Sequence, residues 1–94
     1  MPAVGLLSIE LHLAGARSLK DKRMVLRSLK DRLRRFNVAV AELDHQDLWQ
    51  RASLGVVSIA ATVDGVHQTL DAVVDEIEQL EPGAIVRSEV ELLC

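Results

Sequence analysis

RSLKDKRMVLRSLKDRLRRF, residues 17–36, is the longest helical pattern in the chain and the stretch from which the fold is read outward. Ser18 followed by Asp21 makes a capping-box-like start, with an acid near the positive end of the helix dipole. Val25, Leu26, Leu29, Leu33 and Phe36 recur at helical spacing and leave one apolar stripe for a core. Asn37 ends the pattern. Nine of the chain's eleven basic residues lie here against Asp21 and Asp31 alone, nine minus two giving a local charge of about +7. At about 100° per residue, Lys20, Arg23, Arg27, Lys30 and Arg34 fall along one flank of the exposed surface. Lys22 projects near the apolar stripe, and its stem is expected to snorkel outward.

On the N-terminal side, Ala3–Leu13 alternates. Leu7, Ile9, Leu11 and Leu13 fall on one face, and Leu6, Ser8, Glu10 and His12 on the other, as in a half-buried strand. Ala14–Arg17 is a short loop. On the C-terminal side, Asn37–Asp44 reads as a second strand, with either Val38 and Val40 or Ala39, Ala41 and Leu43 toward the core. His45–Gln50 is a polar connection holding the one tryptophan. Arg51–Thr62 is a third strand, in which Gly55 marks a bulge or a close backbone approach. A second helix starts at Thr62 or Asp64, carries the stripe Val66, Leu70, Val73, Val74, Ile77 and Leu80, and stops at Glu81-Pro82-Gly83. Ala84–Leu93 alternates again.

The order β-α-β-β-α-β, with no internal linker, predicts one α+β domain over residues 1–94. Right-handed crossovers place both helices on one face of a four-stranded antiparallel sheet, the ferredoxin-like arrangement. The other sheet face is left open and carries Leu6, Ser8, Glu10 and His12 beside Arg87, Glu89 and Glu91. An open face with this much apolar surface is an expected interface, and a homodimer through it is the predicted assembly. Edge pairing is the competing geometry.

Ninety-four residues suffice for a single core without metal or disulfide staples. The lone cysteine, Cys94, allows no internal disulfide, and neither a signal peptide nor a membrane span is legible. A cytoplasmic location with no membrane partner is expected. The net charge of −3 hides an asymmetry, because residues 64–81 hold six acids and no base. The basic and acidic helices either attract one another or serve different partners.

DHQDLW, residues 44–49, is the most distinctive chemistry. Asp44, His45 and Asp47 are metal-ligating residue types, but no second cluster completes a site, and no metal is assigned. A structural turn, with Asp capping backbone amides and Trp49 packing over the core edge, is the simpler expectation. Trp49 also suits a partner contact. Leu6, His12, Asp44, His45, Asp47 and Trp49 are the partner-contact candidates. His12 with Glu10, Glu89 and Glu91 reads as ion pairing rather than general-base chemistry. No phosphate loop, nucleophile elbow or zinc spacing is present, so a non-enzyme without cofactor is expected.

SLKDKR at 18–23, RFNV at 35–38, AELDHQDLWQRASLGV at 41–56 and IELHL at 9–13 resemble the YlxP-like family, small bacterial proteins forming a domain-of-unknown-function family. The resemblance spans essentially the whole chain. It implies a ferredoxin-like fold and no established enzymatic activity, brings no catalytic residues, and sets the genes of such proteins among translation and ribosome-maturation genes. The leading expectation is a binding protein associated with RNA or the ribosome, with Lys20, Arg23, Arg27, Lys30 and Arg34 facing phosphates. Arginine outnumbers lysine eight to three, and guanidinium binds phosphate bidentately. Base stacking on the sheet is not expected, since there is no Tyr, one Phe in the helix and one Trp in a loop. Ordinary solvated helix charge accounts for the same residues. A self-assembly or protein–protein module with an acidic partner, and a dimeric small-molecule regulatory domain, remain alternatives.

Overall fold

In the computed structural model, which describes residues 1–94, six elements follow in the expected order. They are β1 (Ala3–His12), α1 (Leu19–Leu33), β2 (Val38–Asp44), β3 (Arg51–Ala60), α2 (Val63–Leu80) and β4 (Ile85–Leu92). The sheet order is β2-β3-β1-β4, antiparallel throughout, so each β-α-β crossover skips one strand. The fold is ferredoxin-like.

Both helices begin on a hydroxyl cap. Ser18 Oγ accepts from the Asp21 amide at 3.0 Å, and Asp21 Oδ2 accepts from the Arg17 amide at 3.0 Å. Thr62, not Asp64, caps α2, its Oγ1 accepting from Gly65 N at 3.0 Å. The Ser18 and Thr62 bonds each satisfy an amide that the first helical turn leaves without a partner, and the Asp21 bond holds the chain entering the cap at Arg17. Helix α1 stops at Leu33, so Phe36 lies in the turn behind it, partly buried against the core. Asn37 then fixes the start of β2, donating to Ile59 O at 2.8 Å while its own carbonyl accepts from Ser58 Oγ at 2.8 Å.

Seventeen buried residues form one core between the sheet and the helices. Leu7, Ile9 and Leu11 of β1 and Leu54 and Val56 of β3 meet Leu26, Leu29 and Leu33 of α1 and Val66, Leu70, Val73 and Ile77 of α2. In β2, Val38 and Val40 turn to this core. Gly55 is not itself the bulge. The register slips at Glu42/Asp44, and the Leu43 side chain folds over Gly55, where an added Cβ would come within 2.8 Å of it. Gly5 makes the other close approach, because a Cβ there would stand 2.5 Å from Val66 Cγ1 of α2. No helix is long and apolar enough to cross a membrane.

Candidate functional site

The basic flank of α1 borders the β2 edge of the sheet. Arg23, Arg27, Lys30 and Arg34 line one shallow groove with Leu26, Asp31 and Glu42. Their common orientation follows from the helical spacing, since Leu26, Leu29 and Leu33 turn into the core and hold the opposite flank to solvent. Arg34 pairs with Asp31 at 3.1 Å, both exposed, whereas Arg23, Arg27 and Lys30 form no ion pair. Lys20 is exposed about one turn earlier and lies outside the groove. The acidic helix meets the basic one at a single ion pair, Arg32 Nη1 to Glu76 Oε1 at 2.9 Å.

One basic residue behaves otherwise than its sequence position suggests. Lys22 does not snorkel; it is 1% exposed. Its Nζ donates to the His45 carbonyl and, at 3.1 Å, to the Arg51 carbonyl, and lies 3.1 Å from Glu42 Oε2. A buried ammonium is tolerable only when its protons and charge are both matched, and here two carbonyls and a carboxylate match them. The carbonyls come from the two ends of the DHQDLW connection. His45 adopts φ 63, the left-handed region that non-glycine residues seldom visit. Its amide donates to Asp44 Oδ1 at 2.8 Å and its carbonyl also accepts from Leu48 N at 3.0 Å.

The imidazole of the same residue reaches the open sheet face, where Nε2 lies 3.5 Å from Glu10 Oε2. Arg51 Nη2 approaches that oxygen at 4.0 Å. Glu10 Oε2 and Glu42 Oε2 are buried and make no well-aligned hydrogen bond, so Glu42 depends on the Lys22 ammonium and Glu10 on the Arg51 guanidinium and the imidazole beside it. The connection is therefore a clasp that ties α1, β1 and β3 together. Gln50 extends it, its side chain donating to Ala16 O at 3.2 Å.

Two expectations need correction. Trp49 does not pack over the core edge; it is 53% exposed, beside exposed Leu48. The turn is closed by backbone and Lys22 contacts, and the indole lies about half in solvent. The cluster of His12 with Glu10, Glu89 and Glu91 does not assemble either. Glu10 is engaged by His45 and Arg51, and Glu89 by Arg87. The Glu89 hydrogen bond and charge hold the Arg87 guanidinium above its ordinary range. His12 stands exposed at the end of β1, opposite Arg51 in register. Asp47 is exposed, and Leu6 is half-buried on the open face.

The chain belongs to the family described as "Protein of unknown function (DUF503)", whose model matches residues 4–90. It is 32% identical over 90 residues to the "Uncharacterized protein YlxP" of Bacillus subtilis (strain 168), covering 92% of this chain and 97% of that protein. Among solved structures, the "De novo designed protein Foldit4" superposes with a TM-score of 0.61 at 12% identity, over 100% of this chain and 98% of that one. That likeness extends to the fold alone.

Proposed function

We propose that this chain is a binding protein rather than a catalyst, associating with RNA, free or ribosomal, through phosphate contacts from α1. The observation that carries the reading is the unpaired state of Arg23, Arg27 and Lys30, which share one groove although an acidic helix packs on the same sheet. Charges kept free of internal partners remain available for an external anion, and guanidinium matches phosphate bidentately. The sheet lacks stacking aromatics, so recognition follows backbone and shape rather than base identity.

The test is RNA affinity against salt for the wild type and for Arg23→Glu with Arg27→Glu, followed by fluorescence anisotropy. The expected result is weakened binding to unrelated RNA sequences by a similar factor. The slope of log affinity against log salt should flatten by about 0.7–0.9 per lost phosphate contact. Unchanged RNA binding by the folded double variant overturns the reading. Wild-type binding to an acidic polypeptide but not to RNA replaces it with the protein-partner alternative.

A further inference from the structure

Strand β4 is an edge strand, and α2 packs over β1 and β3 rather than over it. Its helix-side residues are consequently uncovered: Val86, Val90 and Leu92 are 63%, 41% and 44% exposed. The backbone is unpartnered on the same side. Leu93 N donates to Val4 O, so residues of the same parity, Glu91, Glu89 and Arg87, direct their amides and carbonyls into β1. Ser88 and Val90, and Val86 at the bulge, direct theirs away from the sheet. A row of free hydrogen-bonding groups thus runs beside a row of exposed valines.

We propose that this edge pairs antiparallel with the same edge of a second copy, with Ser88 on the two-fold axis. Charge complementarity selects both the occupant and the register. With Ser88 on the axis, Arg87 faces the partner's Glu89 and Glu89 faces the partner's Arg87. These are non-hydrogen-bonded positions, where side chains come closest. Val86 then faces the partner's Val90, and Val90 the partner's Val86. An axis at Arg87 or at Glu89 sets a like charge against itself, and an axis at Val90 sets Glu89 against the partner's Glu91.

Charged residues on a free edge commonly guard it against aggregation. A guard of one sign repels every copy, whereas this mixed pair is its own complement. Arg87 and Glu89 already bond each other within one chain, so dimerisation exchanges partners. Exposed ion pairs are weak, and the exchange fixes register more than affinity. Affinity comes from backbone bonds and the buried valines. So short a pairing buries less than the usual ~800 Å² per partner, giving a weak dimer set by concentration. The product is a continuous eight-stranded sheet with both α1 helices on one face. Its outer β2 strands are roughly 35 Å apart, seven strand spacings.

Sedimentation velocity across a concentration series tests the proposal. The wild-type average mass should climb from monomer toward dimer. Glu89→Arg alone and Arg87→Glu alone should each stay folded and monomeric where the wild type associates, the second melting somewhat lower because it sets a carboxylate opposite Glu10. Their equimolar mixture should associate again, because the two altered edges are mutually complementary. Leu6→Arg, on the open sheet face, should leave association intact. A wild type monomeric throughout, a mixture that fails to recombine, or dissociation by Leu6→Arg overturns the proposal, the last in favour of the open face.

Discussion

Replacing Lys22 by methionine keeps most of the side-chain volume and removes the ammonium from beneath the DHQDLW connection. The carbonyls of His45 and Arg51 then lose their charged donor, and Glu42 Oε2, 3.1 Å away, loses its cation. Stripping one partner from a buried pair costs about 3–5 kcal/mol. The Glu42 side chain retains 19% exposure, so water recovers part of its solvation, and the methionine adds apolar contact. A net loss of about 3 kcal/mol is the balance, a large share of the ~5–15 kcal/mol that holds a domain together. At roughly 4–8 °C per kcal/mol for a chain of this size, the melting temperature should fall by about 10–25 °C. Urea melts followed by circular dichroism read the loss. Glu42→Gln in both backgrounds supplies a double-mutant cycle, with coupling of about 1 kcal/mol or more expected. A loss below about 1 kcal/mol for Lys22→Met, or no coupling to Glu42, would refute the clasp.

Leu29→Ala and Val73→Ala, each on a fully buried stripe, should destabilise by about 1–4 kcal/mol, less at Val73 because fewer atoms are lost. Near-zero cost at both in denaturant melts contradicts the packing. Gly5→Ala should cost about 1–3 kcal/mol, because its Cβ would meet Val66, whose branched side chain is stiff. Gly55→Ala, by contrast, meets the half-exposed Leu43 side chain, which is free to swing, and should cost less than about 1 kcal/mol in the same melts. Equal costs at the two glycines would remove the distinction.

The fold was readable because local signals agreed. Ser18 and Thr62 offered caps, Leu26, Leu29 and Leu33 kept helical spacing, and Leu7, Ile9 and Leu11 kept strand spacing. Sequence left open which face of β2 is buried, since Val38/Val40 and Ala39/Ala41/Leu43 are both apolar sets; the pairing with Val56 and Ser58 decides it. The grouping of Arg23, Arg27, Lys30 and Arg34 followed from angular spacing, which also placed Lys20 with them although it lies outside the groove. The role of Lys22 did not. Its place near the apolar stripe was visible, but its acceptors lie 23 and 29 residues away and depend on the left-handed turn at His45. Trp49 was misplaced for a related reason: size and apolarity favour burial, yet the connection is closed without it.

The separation of charge between α1 and α2 bears on how the molecule would meet a polyanion. A net charge of −3 repels phosphate from a distance, so encounter is not driven by overall attraction. Packed helices lie about 8–10 Å apart, close to the ~8 Å Debye length at physiological salt. A phosphate touching α1 therefore feels the acidic helix only weakly, while one approaching from the α2 side is turned away. The molecule is polar enough to be rotated during approach, its β2 edge swinging forward and its acidic helix trailing. Added salt would then relax the long-range repulsion as well as the short-range attraction, and the association rate should fall less steeply with salt than the affinity does.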